Sequence, residues 1–404
     1  MEIISPTPKP INTAASPEGV PAPVPAPAPV PFGVNEMRLN ARQWVATLLI
    51  VGFVLLLTPW LWERIERFDT GPDYRIPYSL SKDYWLYGRR MGQVVGHNQT
   101  IVLGDSVVWG EYVAPDGTLS HFLNKEAGTT NRFVNMGING MFPLAQEGLV
   151  EYYGKSLRNQ KVILQCNVLW MTSPKADLSL DKEDVFNHSS LVPQFSPRIP
   201  CYKADASERL SVVVQREVGF LQWVGHLQNA YFDQKNIAVW TLEEDGASSP
   251  PTHPNSYKNP LAQITLVVPS APLDNPQRGP KSPRHKPWST DGKGTTRFEW
   301  VGLDASLQWH AVQLTVNRLI ARGNDVLVVL GPFNEHLMAE DNRQEFHKIR
   351  DGILLWLNEK KIPTIVPETL PSELYADASH PLTAGYELLA KHIYADDRFR
   401  SWQK

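Results

Sequence analysis

The feature that most restricts the fold is a set of short apolar runs that alternate with amphipathic stretches across residues 96–404. The runs read QTIVLGD, RFVNMGI, KVILQCNVLW, NDVLVVLGPF and IPTIVPE. Helical periodicity predicts helices over residues 143–157, 304–322, 343–360 and 383–394. Continuous apolar strands that alternate with helices are typical of a parallel sheet covered on both faces. We therefore predict an α/β fold whose ligand site lies at the carboxyl ends of the strands.

One region breaks this alternation, and we predict that it is an insertion over about residues 173–296. It contains one long predicted helix, from Glu208 to about Phe232, followed by a stretch rich in Pro, Ser and Asn. A structureless stretch of that size is abnormal inside a compact core. The pattern therefore indicates a lid or a partner surface.

An uncharged apolar stretch of about 20 residues runs between Arg42 and Glu63, which matches the thickness of a bilayer core. Tryptophans near both ends, such as Trp44 and Trp60, fit the aromatic belts of a membrane interface. A cleaved signal peptide fits less well, because no small-x-small site follows the stretch. A buried globular helix is the other alternative. We predict one transmembrane helix over residues 41–63, and the flanking arginines barely decide its orientation.

Residues 1–40 are rich in proline, as in the segment PEGVPAPVPAPAPVPFG. Proline has no amide donor for a helix or sheet, and its alternation with small residues favours extended polyproline II. We predict a disordered tail, and a docking site for a proline-recognition module is the alternative. Residues 64–95 are predicted to connect the transmembrane helix to a domain over residues 96–404.

Composition excludes several classes of protein. The net charge of −3 and the lack of a basic stripe argue against a nucleic-acid partner. The chain has two cysteines, Cys166 and Cys201, without the paired spacing of a structural zinc site. They either form one disulfide in an oxidising compartment or remain buried free thiols. We expect no metal and no cofactor.

Polar residues follow the predicted strands at the edge where chemistry is expected. The first strand ends at Gly-Asp-Ser106, the second is followed by a loop with Gly140, and the third ends at Asn167. Near the end of the chain, Asp377 and His380 precede a predicted helix. In a parallel sheet all of these residues lie at one edge.

These residue types have the chemistry for acyl transfer. A serine hydroxyl needs a base such as His380 within hydrogen-bond reach, and Asp377 can fix the tautomer of that histidine. The amides of Ser106 and Gly140 and the side-chain amide of Asn167 can donate to the oxyanion of a tetrahedral intermediate. Each motif alone is weak, because Asp and Ser also serve as turn residues and helix caps. Their occurrence together in this order carries the prediction.

The order Gly-Asp-Ser, Gly, Asn, then Asp-x-x-His resembles the SGNH (GDSL-type) hydrolase and acyltransferase superfamily, in particular its divergent membrane-anchored members. The resemblance covers about residues 100–165 and 324–394, and HPLTAGYELLA is close to the usual continuation of the final block. It implies a flavodoxin-like three-layer α/β/α fold with a parallel sheet. Members of the superfamily act on esters of lipids, carbohydrates and acetylated polysaccharides.

Carried over block by block, the resemblance implies a catalytic triad. Ser106 corresponds to the nucleophile, and His380 and Asp377 correspond to its base and to the residue that orients the base. Ser106, Gly140 and Asn167 correspond to the donors of the oxyanion hole.

Two further features of the sequence concern the same edge of the predicted sheet. The third block usually reads Gly-x-Asn-Asp, whereas here it reads Gln-Cys-Asn-Val around Asn167. The fourth strand ends in GPFNEH, so Asn334 and His336 are predicted to be candidate substrate contacts.

The resemblance implies a membrane-anchored serine esterase or O-acyltransferase that acts on acyl esters, foremost acetyl esters, of cell-envelope or extracellular carbohydrate. The alternatives are a non-catalytic accessory subunit of an envelope polysaccharide-modification complex and a lipid esterase. Membrane-anchored members usually keep the catalytic domain outside the cytoplasmic membrane, so we expect a single-pass cell-membrane protein with an extracytoplasmic domain. The expected partners are the ester or carbohydrate substrate, the membrane through one helix, and a membrane-bound acyltransferase.

Overall fold

The structure, a computed structural model, describes residues 39–243, 257–269, 282 and 285–404. The predicted tail over residues 1–40 lies outside the described residues apart from its last two, and so do parts of the predicted insertion. The chain divides into two units, Met1–Phe53 and Val54–Lys404.

The first helix, α1, spans Ala41–Ile65. Its most apolar part has a mean hydropathy of 2.2. Its 25 residues give a length of about 37 Å, which is enough to cross a membrane. Among the described residues it is the one helix with these properties. The prediction of a single candidate span over residues 41–63 is confirmed in the length and hydropathy of this helix.

The larger unit is built on a parallel sheet of five strands. These are β1 (Thr100–Leu103), β2 (Phe133–Asn135), β3 (Lys161–Cys166), β4 (Asp325–Leu330) and β5 (Thr364–Ile365). Their order across the sheet is β2-β1-β3-β4-β5, and every neighbouring pair is parallel. Each strand lies within one of the predicted apolar runs. The prediction of an α/β fold with a parallel sheet is therefore confirmed.

Helices precede, connect and follow the strands. Those before β3 are α2 (Tyr84–Val94), α3 (Ser106–Trp109), α4 (Leu119–Glu126) and α5 (Pro143–Tyr152). Between β3 and β4 lie α6 (Pro174–Asp177), α7 (Ala206–Glu217), α8 (Gly219–Tyr231), α9 (Ile237–Leu242), α10 (Pro260–Gln263) and α11 (Leu307–Ala321). The last three are α12 (Glu340–Glu359), α13 (Thr383–Ala395) and α14 (Asp397–Gln403). The four helices predicted outside the insertion correspond to α5, α11, α12 and α13.

Both faces of the sheet are buried, which explains why the strands are continuously apolar. In β3, Val162 and Leu164 face a core shared with α2, α5, α11 and α12, whereas Ile163 faces a core shared with α4, α13 and α14. Cys166 and Cys201 lie in the first of these cores as free thiols. Helices therefore cover both faces, and the ends of the strands are where polar side chains can gather.

The prediction of one helix from Glu208 to about Phe232 is wrong, because the chain forms α7 and α8 in its place. The break lies at Val218, whose φ of −97° and ψ of 108° are extended rather than helical. Gly219 follows, and glycine is a poor residue for a helix interior.

Candidate active site

Ser106, His380 and Asp377 form one hydrogen-bonded chain beyond the carboxyl ends of the strands. The Nε2 atom of His380 lies 2.8 Å from Ser106 Oγ, and its Nδ1 atom lies 2.8 Å and 2.9 Å from the two carboxylate oxygens of Asp377. Ser106 comes from the turn after β1 and His380 from the loop before α13, 274 residues later in the sequence. Ser106 is 5 % exposed and His380 is 4 % exposed. The fold thus brings together three side chains that the sequence motifs singled out.

The hydrogen bonds of Asp377 fix the tautomer of His380. A carboxylate only accepts, so Nδ1 carries a hydrogen, and in the neutral ring Nε2 is left to accept the Ser106 hydroxyl. The backbone amides of Ser379 and His380 also donate to Asp377 Oδ1, each at 3.0 Å. Burial acts to raise the pKa of Asp377, but the charge and hydrogen bond of His380, with those two amides, hold it far below its usual range.

Glu111 places a second carboxylate beside His380, and no sequence motif pointed to it. Its Oε2 atom lies 3.2 Å from His380 Nε2, and its side chain is 6 % exposed. When the His380 ring is neutral, Nε2 and Glu111 Oε2 are both acceptors. When the ring is an imidazolium, its Nε2–H donates to the Glu111 carboxylate. Burial lowers the pKa of His380, but Asp377, Glu111 and Asp105 outweigh it and raise that pKa to about 9.

Tyr112 is a second residue that sequence reasoning missed. Its hydroxyl donates to Asp377 Oδ2 at 3.1 Å, and its ring meets the His380 ring edge-on with centroids 5.4 Å apart. Glu111 and Tyr112 follow Ser106 closely in the chain, so proximity to the nucleophile was the one signal that could have suggested them.

Asp105 holds the turn that presents Ser106. It is the N-cap of α3, and its Oδ1 atom accepts a hydrogen bond from the amide of Val107 at 2.8 Å. The preceding Gly104 is tightly packed, since a Cβ there would lie 2.4 Å from the Val108 side chain. The Gly-Asp-Ser motif therefore has a structural reason at each of its three positions.

The side-chain amide of Asn167 is bound at both its oxygen and its nitrogen. Oδ1 accepts from the Leu169 amide at 3.0 Å, and Nδ2 donates to Asp105 Oδ2 at 2.8 Å. Trp170 Nε1 donates to the same Asp105 oxygen at 2.8 Å. Burial raises the pKa of Asp105, and the nearby charge of His380 opposes this. An NH₂ group has two hydrogens, so these bonds also orient the second hydrogen of Asn167.

Gly140 lies in the loop that follows β2 and has a φ of 70°, a left-handed conformation that other residues rarely adopt. This loop packs against the turn that carries Ser106. A Cβ on Gly137 would lie 2.5 Å from the Trp109 amide nitrogen, and Asn135 Nδ2 donates to the Val108 carbonyl at 2.7 Å. The loop after β2 and the turn after β1 are therefore neighbours at one edge of the sheet.

Residues of the segment between β3 and β4 reach these loops. A Cβ on Gly140 would lie 2.8 Å from Asn187 Nδ2, so Asn187 lies directly against that glycine. His188 Nε2 donates to the carbonyl of Asn139 at 3.0 Å. His285 Nδ1 donates to the backbone carbonyl of Tyr112, the residue that follows Glu111. The long segment therefore borders the site on more than one side.

The structure places the two remaining candidates in different surroundings. Asn334 is fully buried, and its Nδ2 atom donates to the backbone carbonyl of Asp377 at 3.1 Å, which supports the loop of that carboxylate. His336 Nε2 donates to the carbonyl of Leu370 at 3.0 Å. In the described part of the chain its ring is therefore bound to the loop after β5, and no hydrogen bond joins it to Asp377 or His380.

Comparison of the sequence with models of known protein families gives no match, and comparison with curated proteins gives none either. Within residues 39–243, 257–269, 282 and 285–404, no group of three or more His, Cys, Asp or Glu side chains is arranged to hold a metal ion.

Proposed function

We propose that the protein is a membrane-anchored serine esterase or O-acyltransferase of the SGNH type. The observation that carries the proposal is the hydrogen-bonded chain from Ser106 through His380 to Asp377, with distances of 2.8 Å at each ring nitrogen. A nucleophile, a base within reach and a carboxylate that orients the base are the parts that acyl transfer from esters needs. The proposed substrates are acyl esters, foremost acetyl esters, of cell-envelope or extracellular carbohydrate.

The proposed reaction has two halves. Ser106 Oγ attacks the ester carbonyl while His380 Nε2 takes the hydroxyl proton, and the imidazolium then gives that proton to the leaving alcohol as the C–O bond breaks. Water or a sugar hydroxyl next gives a proton to His380 and attacks the acyl group, and Ser106 regains its proton as it leaves. Asp377 and Glu111 both face the imidazolium that forms in each half.

The proposed oxyanion hole consists of the amides of Ser106 and Gly140 and the second hydrogen of Asn167. The anchoring of Asn167 by Asp105 supports this role, because a preorganised donor stabilises the developing charge without reorganisation. The third block lacks its usual Gly and Asp neighbours, yet the amide is still oriented through Leu169 and Asp105.

The finer description of the fold belongs to the same proposal. The strand order β2-β1-β3-β4-β5, with helices on both faces, supports a flavodoxin-like three-layer arrangement. The absence of any strand between β3 and β4 in the described residues supports an insertion over about residues 173–296. We further propose that α1 spans the cell membrane once and that the catalytic domain lies outside the cytoplasm, where a membrane-bound acyltransferase is a candidate partner.

The proposal is tested by hydrolysis of p-nitrophenyl acetate by the full chain in detergent. Ser106→Ala and His380→Ala should each lower kcat/KM by about a thousandfold or more, because the nucleophile or its base is lost. The matched control is Ser211→Ala, which removes an exposed hydroxyl on α7 and should leave the rate unchanged. Equal rates for the wild type, Ser106→Ala and His380→Ala would contradict the proposal.

Two alternatives make different predictions in the same preparations. An accessory subunit that only binds polysaccharide would not react with a fluorophosphonate probe at Ser106. A lipid esterase would prefer long acyl chains to acetate. Covalent labelling that is lost in Ser106→Ala, together with a preference for acetyl esters, would favour the proposed function over both.

A further inference from the structure

A small apolar cluster packs against Trp62, at the end of α1. Its buried members are Leu227, Tyr231 and Phe232, and the side chains packed against them include Trp62, Trp223, Ile237, Trp240 and Ile264. The rings of Trp62 and Trp223 meet edge-on with centroids 5.5 Å apart. Just beyond α1, the Arg67 amide donates to the Leu266 carbonyl at 2.9 Å. We refer to α8, α9, α10 and residues 264–268 as the juxtamembrane module.

The end of α1 indicates how close this module lies to a bilayer. The uncharged stretch ends at Glu63, and Trp60 and Trp62 occupy its last turn, as an interfacial aromatic belt would. The Arg64 guanidinium lies 4.1 Å from the Trp60 ring centroid. A helix with its side chains is about 10 Å across, so elements packed on Trp62 lie within about that distance of the interface.

The module exposes large apolar side chains on its outer surface. They are Val239, Leu242, Leu261, Leu266 and Val267, which are between 37 % and 77 % exposed. The elements that carry them are joined, because the Lys258 amide donates to the Thr241 carbonyl at 3.2 Å and thereby links α9 to the start of α10. The Lys258 ammonium lies 5.2 Å from the Trp240 ring centroid. Single exposed apolar residues are ordinary, but a group of them beside a membrane span marks a contact surface.

We propose that the outer surface of the juxtamembrane module lies in the membrane interface and places Val239, Leu242 and Leu261 among the lipid headgroups. This surface would be a second membrane contact besides α1. The proposal rests on α1 as the membrane span of the proposed function, and it does not depend on the ester chemistry. The bilayer is favoured over a protein partner because the module packs on Trp62, at the end of the span. Aliphatic side chains together with Trp and Lys, as in Val239, Trp240 and Lys258, are typical of interfacial segments.

The test measures the depth of single residues in the full chain reconstituted in phospholipid nanodiscs. Leu261→Cys and Val239→Cys are labelled with the environment-sensitive fluorophore NBD, while the native cysteines are buried and the unsubstituted chain gives the background. We expect a blue shift of the NBD emission and a loss of intensity when lipids carrying a nitroxide near the headgroup are included. The matched control is Val185→Cys, which lies in the same long segment, is 95 % exposed, and should show neither effect.

A label in α1 distinguishes failure of this inference from failure of the span. Leu49→Cys, within the uncharged stretch of α1, should be quenched by nitroxides placed deep in the acyl chains. If Leu49→Cys is quenched and the labels at Leu261 and Val239 behave like that at Val185, the inference is overturned while the span stands. If Leu49→Cys is not quenched, both fail. Because only the lipids carry the nitroxide, quenching at Leu261 and Val239 reports contact with lipid and not with a protein partner.

Discussion

At the scale of single residues, the unusual feature of the candidate site is the number of carboxylates around His380. Asp377 binds Nδ1, Glu111 lies 3.2 Å from Nε2, and the charge of Asp105 acts on the ring from the base of α3. All three favour the imidazolium. They therefore stabilise the transition states of the proposed reaction, in which the ring is charged. They also favour the protonated form of His380 in the resting enzyme, which cannot act as a base.

This arrangement predicts an alkaline pH dependence. His380 must be neutral to take the Ser106 proton, and its pKa is raised to about 9, so kcat/KM for p-nitrophenyl acetate should rise with pH with a midpoint at about pH 9. Glu111→Gln keeps the shape of the side chain and removes its charge, which lowers the pKa of His380. The midpoint of the rise should then move to lower pH by roughly one pH unit.

The control for this prediction is Asp116→Asn, which removes one negative charge from an exposed position in the same segment and should leave the midpoint in place. A residue that only supports the fold would change kcat without moving the midpoint. An unchanged midpoint in Glu111→Gln would therefore assign Glu111 to packing and contradict its effect on His380.

Ser106, Asp377 and His380 were predictable because each stands at a recognisable point of the sequence, after a strand or before a helix. Glu111 was not predictable in this way. Its side chain meets His380 because α3 is a single turn and the chain then folds back over the site, and no periodicity in the sequence encodes that path. The role of Asp105 as the anchor of Asn167 depends likewise on contacts between two separate strand ends.

At the scale of elements, Gly148 of α5 is required by a contact with a distant part of the chain. A Cβ on Gly148 would lie 1.9 Å from the backbone oxygen of Leu191, so the segment after β3 packs directly onto the helix backbone. Gly148→Ala should force the two apart and lower the free energy of unfolding by about 1–3 kcal/mol. Thermal unfolding followed by tryptophan fluorescence checks this as a lower Tm.

Gly92→Ala is the matched control for the helix effect. Gly92 lies in α2 with nothing within 4 Å of a Cβ, so alanine there should be neutral or stabilising by up to about 1 kcal/mol. A Tm for Gly148→Ala equal to that of Gly92→Ala would contradict the close packing of α5 on residue 191.

Gly148 also illustrates which features of the helices and strands can be predicted from the sequence. The strands and α5, α11, α12 and α13 followed from periodicity, which is local information. Periodicity does not explain why residue 148 is a glycine, because that depends on Leu191, 43 residues away (191 − 148). It does not predict the break at Val218 either, because that depends on packing against other elements.

At the scale of the whole molecule, a buried group of charges joins three distant parts of the larger unit. His226 of α8 lies 2.7 Å from Asp83 Oδ2, at the N-cap of α2, and 3.0 Å from Glu66 Oε1, just after α1. Arg89 and Tyr231 also donate to Glu66, each at 2.5 Å. With a carboxylate at each ring nitrogen, His226 binds both as an imidazolium.

The group should make stability depend on pH. Burial opposes the charge of His226, but Asp83 and then Glu66 raise its pKa to about 9. Since an unfolded histidine titrates near 6.5, this contribution is fully present below about pH 6.5 and is lost as the pH rises through about 9. His226→Asn should lower the free energy of unfolding by about 3–5 kcal/mol at pH 6, because it removes the positive charge that faces the buried carboxylates of Asp83 and Glu66. The difference in Tm from the wild type should narrow towards pH 10.

Comparison with the wild type isolates His226, because His380 also has a raised pKa and is present in both chains. The control is His121→Asn, which breaks a partly exposed pair with Asp73 and should cost less than about 1 kcal/mol. A Tm difference between His226→Asn and the wild type that stays constant from pH 6 to pH 10 would show that the imidazolium does not contribute.

The buried His226 also imposes an order in time on the making of the protein. Glu66 and Asp83 are synthesised 160 and 143 residues before their partner His226. Until His226 arrives, Arg89 can already pair with Glu66, but burial of Asp83 would leave that carboxylate without its imidazolium partner, so the start of α2 has to remain hydrated. This part of the larger unit therefore closes only after α8 has been made, although it is translated well before that helix.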